Sequence, residues 1–238
     1  MAAQRIGLSF QGGALASFGR TFLYVLLTVC IIPAAWGAVS LVRWWTESLT
    51  FSDGSRLRFE GRAGQMWGLF SALIILEILP QIASGRAPEN KVLAVSLAAT
   101  VVLLPLVALV KLQVYRWIVA NLRLEPDGTA RLTASYGGYL GWLVILTASF
   151  FTVIGWAWVL TAMIRWLCGH VRGRGLSITF TGTGLGLLGY TILWLVCSLL
   201  ILPIPLVLRS VYRWFTGHLV LWREAAEAVE AMDAAVAV

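Results

Sequence analysis

The sequence predicts a polytopic α-helical membrane protein with β-hairpins, built from four degenerate repeats. Three observations lead there. Hydrophobic residues make up 59% of the 238 residues and charged ones 12%, about half the charged share of a soluble domain, with a mean hydropathy of +0.84. The pair Arg-Trp follows a long apolar run four times, at Arg43-Trp44, Arg116-Trp117, Arg165-Trp166 and Arg213-Trp214. Short alternating segments with turn residues at their centres separate these runs.

Taken in order, the chain opens with "RIGLSF", half of an amphipathic hairpin. The run Thr21–Val42 follows. Its stretch "RTFLYVLLTVCIIPAAWGA" has the small residues after an apolar core that mark a signal peptide, but we expect it to be retained as a membrane element. Further runs lie near Met66–Ile82, Val92–Val110, Gly141–Ile164 and Tyr190–Leu208, each near the ~20 residues a bilayer requires. The segments "LTFSDGSRLRFEG" and "LRLEPDGTARLTA" place Asp-Gly between alternating stretches, a hairpin signal, and "VRGRGLSITFTG" does the same with Gly173 and Gly175. Leu57/Phe59, Leu122/Leu124 and Leu176/Ile178/Phe180 alternate with arginine and threonine, predicting a sheet with one buried and one wet face. "HLVLW" near the end is the other half-hairpin, expected to pair with the first and to close a pseudo-fourfold cytoplasmic sheet of about eight strands.

The repeat has a register. Gly19, Gly141 and Gly189 stand 24 residues before their arginines, and Gly68 holds the same place in the second copy, whose apolar stretch is longer. Seven residues before these glycines stand Gly12, Gly61, Ala134 and Gly182, and two further back Phe10, Phe59, Leu132 and Phe180. Five residues after each arginine come Ser48, Asn121, His170 and His218. The units run about 8–48, 57–121, 130–170 and 178–218 within one membrane domain, 1–222, followed by an acidic amphipathic tail, 223–238.

Hairpins on one face require every unit to enter and leave by that face. The second unit has length for two helices joined by "ASGRAPENK". In the others, two arms of ~15 residues reach only ~22 Å, short of a ~30 Å hydrocarbon core. They are expected to be re-entrant, turning near Pro33, Gly155 and Pro203–Pro205, with Pro105 marking a similar break. This arrangement leaves only Arg86 and Lys91 of the 18 basic residues outside the cytoplasm, a strong positive-inside bias. The alternative, one tilted span per short unit, divides the charges more evenly.

Each candidate functional residue has two readings. The four Arg-Trp pairs either anchor at the interface, with tryptophan in the aromatic belt and arginine snorkelling to water, or grip lipid headgroups. "GLGLLG" (Gly184, Gly186, Gly189) has the strand-to-helix context of a dinucleotide site. No acidic residue follows at the required distance, so turning and close helix packing suit its glycines better. His170 and His218 share their register with Ser48 and Asn121, which suits a polar cap better than a metal site. Glu77 is the one carboxylate deep in an apolar run, an intramembrane candidate by default unless it reaches the nearby loop. Lys111 and Arg20 read as snorkelling anchors. Glu224, Glu227, Glu230 and Asp233 form a stripe on the tail, either solvated or a partner-docking face. The cysteines Cys30, Cys168 and Cys197 read as packing residues. No catalytic constellation, cofactor or metal is expected, and no basic run or motif supports nucleic-acid binding.

The segments "ITFTGTGLGLLGYTIL" and "VKLQVYRWIVANL" resemble the YjgN-like family of bacterial inner-membrane proteins, which are built around a domain of unknown function. The chain departs from that pattern with tryptophan after the arginine, and with Asn121 in only one copy of four. The resemblance implies a bacterial inner membrane and no activity. The function expected is a non-enzymatic accessory or scaffolding subunit that contacts lipids and a membrane-protein partner or further copies of itself. The alternative is a carrier or channel for lipid or another amphiphile.

Overall fold

The computed structural model describes residues 4–125, 128–173, 176–199 and 204–223. Within them the chain repeats strand, helical hairpin, strand four times. The first unit is β1 (Gln4–Phe10), α1 (Ala14–Val29), α2 (Ala34–Glu47) and β2 (Leu49–Phe51). The second is β3 (Arg56–Phe59), α3 (Trp67–Ser84), α4 (Val92–Ala120) and β4 (Leu122–Glu125). The third is β5 (Gly128–Leu132), α5 (Tyr136–Ser149), α6 (Trp156–Gly169) and β6 (Val171–Gly173). The fourth is β7 (Leu176–Phe180), α7 (Gly184–Ser198), α8 (Ile204–Gly217) and β8 (Leu219–Arg223).

In every unit the two flanking strands pair antiparallel, and the register is the same: Phe10 faces Leu49, Phe59 faces Leu122, Leu132 faces Val171 and Phe180 faces Leu219. Turns then link one unit to the next. The resulting sheet has the order β2-β1-β8-β7-β6-β5-β4-β3. β1 pairs with β8 from Gln4↔Arg223 to Gly7↔Val220, so the first and last described strands join the fourth unit to the first. The sheet is nearly closed. Its end strands β2 and β3 are joined by the turn at Ser52–Ser55, where Gly54 adopts φ +80°, but no ladder forms between them.

The polytopic fold class is corrected by helix length. Among the described residues only two helical segments are long and apolar enough to cross a membrane, Trp67–Ser84 and Glu89–Ala120. The runs Thr21–Val42 and Gly141–Ile164 are each broken into two short helices, and α7 and α8 divide Tyr190–Leu208. The first two of these breaks share a backbone cause. Ile31 (φ 61°) and Val153 (φ 63°) turn the chain with left-handed conformations, costly for β-branched residues, and both lie 12 residues before their unit's arginine. Pro33 and Gly155 follow as the N-caps of α2 and α6. Pro105, by contrast, lies inside continuous α4 and breaks nothing. Pro203 and the tail with Glu224, Glu227, Glu230 and Asp233 lie outside the described residues.

The alternation read from sequence is used in full. Ile6, Leu8, Phe10, Leu49, Phe51, Leu124 and Leu221 form the apolar interior of the curled sheet, enclosing a cavity of about 160 Å³ roofed by Trp45, Val119 and Cys168 from the helix ends. The opposite face is wet and charged. There Glu125 meets Arg58 at 3.4 Å and Glu60 meets Arg123 at 2.7 Å. Arg223 reaches Asp53 (2.9 Å) and Ser55 Oγ (3.0 Å), tying the last strand to the β2–β3 turn. Burial opposes ionisation of Asp53, but hydrogen bonds from Ser55 and the Arg223 charge outweigh it and hold the carboxyl below its ordinary value.

Candidate functional site

The four Arg-Trp junctions sit where each second helix hands over to its strand. Their chemistry starts with the helix end, whose last carbonyls lack intrahelical partners. Ser48 Oγ donates to the Trp44 carbonyl (2.8 Å), and Asn121 Nδ2 to that of Trp117 (2.8 Å). His170 Nδ1 bonds the Trp166 carbonyl (2.8 Å), and His218 Nδ1 that of Trp214 (2.7 Å). A carbonyl only accepts, so both imidazoles carry their proton on Nδ1. Each cap residue's own carbonyl then accepts from the backbone N–H after the register aromatic or leucine: Gln11, Glu60, Thr133 and Thr181, at 2.9–3.0 Å. One polar residue thus closes a helix and opens a strand, which suits serine, asparagine and histidine alike.

The tryptophans pack inward on their own unit and do not form an outward belt. Trp44 meets Phe10 edge-on with centroids 5.7 Å apart, Trp117 meets Phe59 at 5.5 Å, and Trp214 meets Phe180 at 6.1 Å. Room for this comes from the glycine two residues on. A Cβ at Gly12 or Gly61 would collide with the Phe10 or Phe59 ring, and one at Gly182 would lie 2.5 Å from Phe180 Cζ. The third unit has Leu132 and Ala134 here, a branched chain without a ring and a methyl group in place of hydrogen.

The arginines reach the other way, into the next unit. Arg43 Nη2 donates to the Gly61 carbonyl (3.2 Å), Arg116 Nη2 to Ala134 (2.8 Å) and Arg165 Nη2 to Gly182 (3.0 Å), with Arg165 Nε also on Phe180 (3.2 Å). The fourth junction departs from this pattern. Among the described residues Arg213 makes no such bond to Gly12. There Tyr212 joins the fourth unit to the first, its hydroxyl 2.8 Å from Thr21 Oγ1 and its ring against Phe10 and Trp44.

Two polar pockets lie at the same repeat register. One, about 450 Å³, is lined by Arg20, Ser40, Arg43, Glu47 and Arg62. The other, about 510 Å³, is lined by Tyr190, Arg209, Ser210, Arg213, Trp214 and His218. Arg20 donates to Ser40 Oγ (2.9 Å) in the first. Arg209 Nε in the second is buried without a partner. Sequence reading missed Arg209 and Ser210. Extending the register would have found them, because Arg209 stands where the first unit has Val39, and Gly217 where it has Glu47.

Glu77 pairs with Lys111 of the neighbouring helix at 2.7 Å, so Lys111 is its counter-ion rather than a separate anchor. The repeat glycines Gly19, Gly68, Gly141 and Gly189 are all exposed, with open space where a Cβ would stand; they make no close helix contacts within the chain. Gly184 does, its added Cβ falling 2.6 Å from Trp158, and Thr183 Oγ1 caps α7 by accepting from Gly186 N (3.1 Å). That cap occupies the turn a dinucleotide would need. Among the described residues no group of three or more His, Cys, Asp or Glu could hold a metal.

Comparison of the chain with protein-family models, with curated proteins and with solved structures returns no match.

Proposed function

We propose that this is a non-enzymatic scaffolding protein of the membrane, held by one spanning helical hairpin and three shorter hairpins sunk part-way into the same bilayer from one face. The observation that carries it is the contrast between hairpin tips. The α3–α4 tip is polar, with Arg86, Glu89, Asn90 and Lys91, as a segment emerging into water requires. The α1–α2 tip exposes Val29 and Ile32, and the α5–α6 tip exposes Phe151 and Val153, the latter 78% exposed. Helices of 14–16 residues reach only ~21–24 Å, so those apolar tips end inside a ~30 Å core. The resemblance to YjgN-like proteins supports a bacterial inner membrane, and the distribution of the basic residues supports the sheet in the cytoplasm.

Four outward glycines, one per unit, leave open faces where a partner helix or a further copy can approach closely. This favours the scaffold over a carrier, whose arginines would have to share one passage. Here three of them are engaged with neighbouring units and the pockets are separate.

Labelling with a membrane-impermeant maleimide in sealed vesicles tests the arrangement, in a chain keeping one cysteine at a time. Asn90→Cys is expected to react from one side and Arg172→Cys from the other, while native Cys30 at the α1–α2 tip is protected from both. Free reaction of Cys30 with reagent in water would overturn the reading. For the partner, Gly141→Leu is expected to leave thermal unfolding of the isolated chain unchanged and to remove co-purifying protein. Unchanged co-purification would exclude that face.

A further inference from the structure

The fourth unit holds a vacancy that the first three do not. In those, the register arginine is engaged by a carbonyl of the next unit. In the fourth, Tyr212 has taken over the joint to the first unit, and Arg213, exposed at the surface, makes no hydrogen bond among the described residues. One turn earlier on the same face of α8, Arg209 buries its Nε–H without an acceptor, although a buried guanidinium donor left unmade is costly. Both arginines line one pocket of about 510 Å³ between α7 and α8, with Ser210 and His218 as further polar groups.

The first unit is the internal comparison. Its equivalent pocket keeps a carboxylate, Glu47, beside its arginines, and Arg20 there is satisfied by Ser40. The fourth unit replaces Glu47 with Gly217 and Val39 with Arg209. Arg20 is in turn replaced by Tyr190, so the unit keeps two guanidiniums at this register, now both on α8, and loses the carboxylate beside them. Two guanidiniums with free N–H groups match the several acceptor oxygens of a phosphate. Tyr190, which flanks them and is exposed, is of a residue type found at headgroup depth.

We propose that the α7–α8 pocket binds a phosphate-bearing anionic group through Arg209 and Arg213, and that its source is an anionic lipid headgroup. The lipid source rests on the membrane reading above; the anion chemistry does not.

The full chain in detergent micelles is titrated with short-chain phosphatidylglycerol, short-chain phosphatidylcholine and inorganic phosphate, following the change in total tryptophan fluorescence, to which Trp214 in the pocket wall and Trp194, bonded to Ser210, contribute among the chain's 12 tryptophans. Saturable binding of phosphatidylglycerol is expected, weakened about tenfold or more in Arg209→Gln and Arg213→Gln, the loss of a charge-assisted bond. Arg20→Gln in the first pocket should change little. Gly217→Glu restores the first unit's carboxylate without touching either arginine, and open space surrounds the Cβ position, so it should weaken binding in a folded chain. Equal affinity in wild type, Arg213→Gln and Gly217→Glu would overturn the site. Inorganic phosphate binding with that variant dependence, and phosphatidylglycerol without it, would keep the anion site and overturn the lipid source. Flotation of the wild type with phosphatidylcholine vesicles checks the membrane reading separately: failure to float overturns that reading and the lipid source, and leaves the phosphate titration to decide the site.

Discussion

At the scale of single residues, the repeat is a set of solved contacts. Phenylalanine, glycine, tryptophan and a polar cap recur because each fixes the space or the hydrogen bond of the next. The tightest of these relations is between Phe10 and Gly12, where the three atoms nearest an added Cβ all belong to the Phe10 ring. Gly12→Ala should destabilise the protein by about 1–3 kcal/mol, the usual cost of overpacking. The third unit shows the escape, pairing leucine with alanine. Phe10→Leu alone loses its packing against Trp44 and Tyr212, but together with Gly12→Ala it should cost less than the two changes summed, with a coupling of about 1 kcal/mol. Thermal unfolding of the four proteins of this cycle measures it. Simple additivity would mean that the backbone moves to relieve the clash and that the leucine–alanine pair is coincidental.

At the scale of elements, the strands were legible and the helices only partly so. Alternation marks a strand because one sheet face is dry and the other wet, and Leu57/Phe59 or Leu176/Ile178/Phe180 display that directly. An apolar hairpin tip has no such contrast. Cys30–Pro33 and Phe150–Gly155 turn in surroundings as apolar as their arms, so the composition runs on through the break, and the left-handed Ile31 and Val153 carry no local signature. Pro105 misled in the opposite sense, because a proline within a long helix can be tolerated where neighbours satisfy the freed backbone. The role of the arginines was hidden for another reason: their acceptors are backbone carbonyls, which every residue has. Glu77 and Lys111 were each visible, but nothing local links residues on separate helices. Their pair lies about halfway along α3, roughly 15 Å from its start, and Glu77 remains 49% exposed, which in the proposed setting means exposed to lipid. Glu77→Gln should then cost about 3 kcal/mol by leaving Lys111 uncompensated. Adding Lys111→Met should restore most of that. Unfolding of both variants in lipid nanodiscs checks it, and a negligible effect of Glu77→Gln would show that water reaches the pair.

At the scale of the whole molecule, the fold is a ring of units that happens to be cut between β8 and β1. Three links are connections of two to four residues within the chain, and the fourth is made by pairing of the first and last described strands, from Gln4↔Arg223 onward. The cut is therefore a matter of connectivity and not of contacts. A chain permuted so that Arg223 runs through a short Asp-Gly turn into Gln4, and opened between Glu125 and Gly128, keeps every strand pairing of the sheet. Chain breaks are tolerated best at exposed turn tips, and the β4–β5 turn is the register equivalent of the new join. This permutant should fold with a melting temperature within about 3 °C of the parent, a difference near 1 kcal/mol for a chain of this size. Opening the chain inside α4, which carries one arm of the long α3–α4 hairpin and the Lys111 side of its ion pair, should fail to give folded protein. If both permutants fail alike, the order of synthesis matters to insertion and the ring is only a description of the final state. If the first folds and the second does not, the four units are interchangeable links, and the long hairpin is what commits them to the membrane.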